Sequence, residues 1–217
     1  MKDKNVELFL KREEAAGKLI EKLRRYMSTE SCVVSTSKSG IALGNMVAKS
    51  LGADLLFIPS ERVRHPGDPL KTLGVVSPEY SIMNELDRDI PQEFVYRRTR
   101  ALQSKLGLKY RRVYRPIASR FEDRVVILVE ECLETADKVL ACVKTIREQN
   151  PRKIVISAAV VNSRVLHDLI AEGDSIVFLN VLSDKAIRNA RPDFDTISDE
   201  EIEGLMNLQG NTIAQAL

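Results

Sequence analysis

Two short stretches carry residue types and spacings that can do chemistry. In the first, the apolar run Val125–Val129 (VVILV) leads directly into Glu130 and Glu131. Adjacent carboxylates at the end of a buried strand repel each other and lose hydration. Such a pair makes sense facing hydroxyls or a metal-bound substrate, and equally as a solvated strand terminus. In the second, the run SCVV passes into Ser35-Thr36-Ser37-Lys38-Ser39-Gly40. Hydroxyls, a lysine and a glycine at the start of a helix suit an anion, because free N–H groups and the macrodipole both favour negative charge. The glycine spacing of a Walker loop is missing, and the same residues also suit a polar turn with a serine N-cap. A third stretch, Arg97–Arg120, holds nine Lys/Arg and no Asp/Glu, with Tyr96, Tyr110 and Tyr114 interleaved. That pattern is compatible with a nucleic-acid backbone, and with a solvated helix face or a subunit contact.

Other chemistries find no support. The three cysteines, Cys32, Cys132 and Cys142, are odd in number and match no metal spacing, so reduced thiols are expected. With His65 and His167 the only histidines, zinc chemistry and His-dependent nucleophiles are set aside. The chain of 217 residues is 44% hydrophobic and 29% charged, with a net charge of +2. These proportions suit a globular chain with a sizeable core. The longest apolar runs fall well short of the roughly 20 residues of a membrane helix, and the charged N-terminus has no apolar signal region. No membrane partner and a cytoplasmic location are the expectations.

The elements that must position these residues follow from hydrophobic period. Apolar positions from Val6 to Leu23 predict a first helix over 5–27. SCVVSTS predicts a strand, followed by a helix from about Ile41 to Ser50 with Gly52 as C-cap, and then the strand LLFIPS. Two prolines and a glycine make Arg62–Pro69 a loop, and GVVSPEYSIM a hairpin turning at Ser77-Pro78. A helix is expected over 92–106, strands over 125–129, 153–161 and 175–179, and helices over 135–148 and 163–171. Ser198 followed by Glu201 has the spacing of a capping box. Strands alternating with helices imply an α/β fold. It has a parallel sheet flanked by helices and a small hairpin or hood subdomain, in one domain spanning 1–217.

Several ordered segments together resemble one family, the type I phosphoribosyltransferases, and within it a bacterial branch known as predicted phosphoribosyltransferases. FLKREEAAGKLIEKL is similar to that branch's opening helix. CVVSTSKSGIALGNMVAKSLGADL resembles its strand, turn and helix, and RVRHPGDPLKTLGVV its basic loop and proline-glycine-x-proline segment. Asn84 falls where an asparagine is usual, and DFDTISDEEIEGLM resembles the branch's tail. The resemblance implies a phosphoribosyltransferase-like fold. It also implies transfer of a phosphoribosyl group from 5-phosphoribosyl-1-pyrophosphate (PRPP) to a nitrogen nucleophile, a glycosyl transfer of nucleotide metabolism. Magnesium is the implied cofactor, carried mainly by the substrate with no direct protein ligand, and a homodimer is common in the family.

Carried over residue by residue, Glu130 and Glu131 match the catalytic acidic pair that faces the ribose. Lys38, Ser39 and Gly40 match the turn that meets the pyrophosphate, with Lys38 for the usual arginine and Ser39 for the first of two glycines. That turn often holds a cis peptide in the family. Arg62 matches a basic residue bordering the pocket. The departures gather in the 5-phosphate loop, where Thr135 is kept but Ala136 replaces a glycine and Lys138 a threonine. A Cβ at Ala136 is expected where backbone approach is closest, at a position suited to the positive φ that glycine allows. Glu134 and Asp137 add like charge toward a phosphate. The expectation is a phosphoribosyltransferase-like protein with a degenerate PRPP loop, its ligand PRPP or a nucleotide-like phosphate. The alternative is a non-catalytic nucleotide sensor or nucleic-acid-binding regulator working through 97–120.

Overall fold

In the computed structural model the described residues are 11–27, 29–84, 89–114, 116, 120–189 and 197–214. Helix α1 (Arg12–Leu23) is followed by strand β1 (Ser31–Ser35), α2 (Lys38–Leu51) and β2 (Asp54–Phe57). Three short strands come next, β3 (Glu61–Arg64), β4 (Thr72–Val76) and β5 (Ser81–Met83), and then α3 (Gln92–Lys109). The second half alternates: β6 (Val125–Leu133), α4 (Asp137–Arg147), β7 (Lys153–Asn162), α5 (Leu166–Glu172), β8 (Ser175–Leu182), α6 (Asp184–Asn189) and α7 (Asp199–Ala214).

Five strands form a parallel sheet in the order β2-β1-β6-β7-β8, and β3-β4-β5 form a separate antiparallel sheet. The fold class read from the sequence is therefore the one observed. Sequence order reverses between β1 and β6, and in open α/β sheets a ligand binds outside the strand ends at such a point. On one face α1 and α2 pack Leu19, Ile41 and Val47 against Ile127, Val129 and Val155. On the other, α4 packs Val139, Cys142 and Ile146 against Val126, Leu128 and Ile156. Ile127 and Leu128 are fully buried, and burying such a side chain stabilises by about 1.5–3 kcal/mol. α3 closes the small sheet with Val95, Leu102 and Leu106 over Val63, Leu73 and Val76.

Several boundaries differ from the sequence reading. β6 does not end at Val129; it continues through Glu130 and Glu131 to Leu133, still paired with β7. The last rung with β1 pairs Val34 with Leu128, so the two glutamates lie beyond the end of that ladder. The pleat also slips there. Val125, Ile127 and Val129 pack on the α1–α2 side, yet Cys132 joins that side and Leu133 the other. In β7, Ala159 and Val160 both fall on the α1–α2 side, and pairing skips the Glu131–Ala159 rung. Alternation with period two is broken at the acidic pair.

Arg62 is not in a loop but in β3, where Val63 is fully buried and pairs with β4; the loop is confined to the prolines beyond it. α2 begins at Lys38, three residues earlier than expected, because the Ser37 hydroxyl caps it by accepting from Gly40 N–H at 3.0 Å. The hairpin at Ser77-Pro78 forms as expected. Ser198 and Glu201 exchange both bonds of a capping box, at 2.7 and 3.1 Å. The six-residue α6 has no counterpart in the sequence reading, and positions 5–10 of the expected N-terminal helix lie outside the described residues.

Candidate functional site

The turn after β1 and the acidic pair of β6 meet at the reversal of strand order. Glu130 is 4% exposed. Its Oε1 accepts from the Thr36 backbone N–H at 2.6 Å and from the Thr36 hydroxyl at 2.8 Å, and its Oε2 accepts from the Ser37 hydroxyl. Burial pushes the carboxyl above its ordinary value, and the three donors and the Lys138 charge oppose that rise. Ser35 donates to the Val129 carbonyl at 3.0 Å, tying the same strand ends. Gly40 makes this approach possible: a Cβ there would sit 2.6 Å from Glu130 Oε2 and 2.9 Å from the Val129 carbonyl oxygen.

Glu131 turns toward α1, where Arg12 Nε donates to its Oε1; the side chains are 14% and 7% exposed. Burial raises this carboxyl as well, with Arg12 and the Ser39 hydroxyl pulling it down. Lys38, on the first turn of α2, pairs with Asp199 at the start of α7, and Lys109 lies 3.7 Å from the same carboxylate. Those two cations hold Asp199 below the usual carboxylate range.

Beside these residues, Arg62 Nε donates to Asp137 Oδ2 at 2.9 Å and its Nη2 to the Thr135 hydroxyl. Ala136 takes the N-cap position of α4 with φ −92° and no side-chain cap, and is buried in the α4 cluster. The positive φ expected at that position is absent, so the methyl group serves the core instead of straining the loop. Half-buried Lys138 is lowered by burial and by Arg62 and Arg64, against Glu61 and Glu130. No described residue has a cis peptide, so the turn at Ser39 is trans.

The structure thus gathers Ser39, Gly40, Glu130 and Glu131 into one network, with Lys38 on the same turn but held by Asp199, and Arg62, Thr135 and Lys138 into a second beside it. Ala136 alone faces away, into the core. Sequence reasoning missed Arg12 and Asp199. Arg12 lies in the phenylalanine-to-arginine start of FLKREEAAGKLIEKL and Asp199 in the tail DFDTISDEEIEGLM, both segments that carry the resemblance, but neither residue was given a role in the site. The basic segment is also less isolated than it reads: Arg112 pairs with Glu203 at 3.3 Å, and the Tyr110 ring meets Phe57 edge-on at 5.0 Å. Arg98, Arg100, Lys105 and Arg111 are exposed. None of the three cysteines is in a disulfide. Among the described residues no group of three or more His, Cys, Asp or Glu side chains can hold a metal ion. No described helix is long and apolar enough to cross a membrane.

The chain matches no protein-family model and no curated protein. Among solved structures it is similar to the TT1426 protein from Thermus thermophilus, at 27% identity and a TM-score of 0.75, over 92% of this chain and 97% of that one. It shares its fold with the AQ2163 protein from Aquifex aeolicus, at 12% identity and a TM-score of 0.50, over 80% and 77% of the two chains. A purine phosphoribosyltransferase from Pyrococcus horikoshii matches more loosely, at 13% identity and a TM-score of 0.48 over 87% and 93%.

Proposed function

We propose that this chain is a phosphoribosyltransferase-like protein that takes PRPP or a nucleotide-like phosphate ligand at the β1–β6 switch point, with phosphoribosyl transfer impaired. The observation that carries the reading is one of charge. The acidic pair and the α2 turn converge where such a ligand would lie, yet their cations are already engaged by the protein's own carboxylates. Lys38 is held by Asp199, Arg62 by Asp137 and Arg12 by Glu131.

In this reading the α2 turn receives the diphosphate through Lys38 and its first-turn N–H groups, and Thr135, Lys138 and Arg62 receive the 5-phosphate. Glu130 organises the turn, because both of its oxygens are taken by Thr36 and Ser37. Glu131 is the member left to meet the ribose: a carboxylate offers about four acceptor sites, of which Arg12 and Ser39 use two. Nitrogen attack at the ribose carbon expels diphosphate, so catalysis depends on cations at the leaving group. Lys38 and Arg62 can serve only by leaving Asp199 and Asp137, which accounts for the impairment. Magnesium, if used, arrives on the diphosphate; Glu130 does not fit as its ligand, and no step here runs through it.

Calorimetric titration with PRPP, with and without magnesium, tests the reading. The expected result is weak binding, in the millimolar range, that Glu131→Gln removes, with slow or absent pyrophosphate release whatever nitrogen acceptor is added. Efficient turnover would contradict the impairment, and no binding at all would contradict the site. The non-catalytic alternative rests on the exposed cations of α3 and of the turn that follows it. It predicts salt-sensitive RNA or DNA binding that the paired change Arg111→Ala and Arg112→Ala weakens, with no requirement for PRPP.

A further inference from the structure

Arg12 stands where helix physics does not want it. It is the first residue of α1, at the positive end of the macrodipole, where carboxylates stabilise and cations do not. The same turn carries Glu13 and Glu14, which do fit, and Lys11 supplies no side-chain cap. The packing face of α1 is made by Ala15, Ala16, Leu19 and Leu23, so the core gains nothing from a guanidinium one turn earlier. What compensates Arg12 is Glu131, 119 residues away, in a pair that is almost wholly buried. Breaking such a pair strands a buried charge, the most destabilising outcome for either partner.

We propose that Arg12 is a positioning residue of the switch-point site, holding the Glu131 carboxylate ionised and aimed at the ligand. The inference rests on the reading that Glu131 meets the ribose. Among the described residues, Ser39 from α2 and Glu130 from β6 act on Glu131, and Glu201 from α7 feels the Arg12 charge. Glu130 is like-charged and pushes Glu131 toward protonation, as burial does. Arg12 is the cation that opposes both, and its Nε bond to Oε1 fixes the carboxylate in orientation as well as in charge.

The test has two readouts. The Glu131 carboxyl is followed by 13C NMR titration in the ligand-free protein, for wild type, Arg12→Met and Arg12→Lys. Arg12→Met is expected to move the midpoint upward, and Arg12→Lys to leave it near the wild-type position. Titration with PRPP and magnesium near pH 7 is expected to show about 10–100-fold weaker binding for Arg12→Met, the usual loss for a partner that orients a ligating group. That loss shrinks as pH rises past the new midpoint, and Arg12→Lys recovers most of it. If Arg12→Met does not fold, Arg12→Gln, which keeps donors without charge, takes its place. An unmoved Glu131 midpoint overturns the proposal, and so does a moved midpoint with unchanged PRPP affinity. If the midpoint moves but neither wild type nor Arg12→Lys binds PRPP, the hold of Arg12 on Glu131 stands and the ligand assignment fails.

Discussion

The two halves of the candidate site hold their charges differently. On the β6 side the carboxylates of Glu130 and Glu131 are buried at 4% and 6% exposure, and each is met by donors from another part of the chain. On the rim, Arg62–Asp137 and Lys38–Asp199 are ion pairs with side chains 22–48% exposed. Buried hydrogen-bonded carboxylates lock strand ends together and are costly to disturb. Exposed pairs contribute roughly 0–1 kcal/mol and exchange readily. The floor of the site is therefore structural and fixed, and its rim is replaceable. Under the proposed reading a ligand anion competes with the rim, not with the floor.

The sharpest way to break that contrast is to remove the floor. Glu130→Leu leaves the Thr36 N–H and two hydroxyls buried without an acceptor, and is expected to destabilise by about 3–5 kcal/mol. Urea denaturation measures it, and a loss below about 1 kcal/mol would mean the network is ornamental. Gly40→Ala comes next. Its Cβ would meet Glu130 Oε2 at 2.6 Å and a backbone oxygen at 2.9 Å, so β6 or α2 must shift, at a cost of about 1–3 kcal/mol. Unchanged stability in the same assay would show that the α2 turn has slack.

The pH dependence should differ in sign between the floor and an exposed carboxylate elsewhere. Glu130 and Glu131 have folded pKa values raised above the ordinary 4.5, so between 4.5 and those values the folded state binds more protons than the unfolded. Their contribution to stability therefore falls as pH rises through that window. Asp174, depressed below 3.8 by Arg147 and the Ile154 N–H, does the reverse: its contribution is present above 3.8 and is lost as pH falls through its folded value. Glu131→Gln should flatten the decline above 4.5 and leave the acid limb unchanged, as read by thermal melts across pH. A Glu131→Gln profile parallel to wild type would sink the assignment. The smallest expected effect on stability is at the rim, where Asp199→Asn should change the unfolding free energy by under about 1 kcal/mol.

How much of this was legible in the sequence follows from which signals are local. β6 and β7 announce themselves as apolar runs, and Glu130 and Glu131 drew notice as charges following one, although the strand runs on past them. The extension of β6 through those glutamates was hidden because charges interrupt the apolar run while the ladder with β7 continues. β3 was hidden because four residues with one buried valine beside two prolines look like a loop. The Ser198–Glu201 box was readable because capping is a three-residue affair, whereas three serines in a row of polar residues left the Ser37 cap and the start of α2 unplaced. Arg12 and Asp199 were not, because their partners come from distant parts of the chain and no spacing rule connects them. Ala136 read as a damaged phosphate loop; in the fold its φ is negative and its methyl group packs in the core. What the departures in that loop changed is the charge balance, through Asp137 and Arg62.

The central claim, that the protein's own rim carboxylates occupy the positions a phosphate ligand needs, is tested most directly by calorimetric titration of PRPP with magnesium into wild type and the Asp137→Asn/Asp199→Asn double variant. The account predicts at least about tenfold tighter binding in the double variant, equivalent to about 1.4 kcal/mol, with stability almost unchanged. Equal or weaker binding in a folded double variant would contradict it.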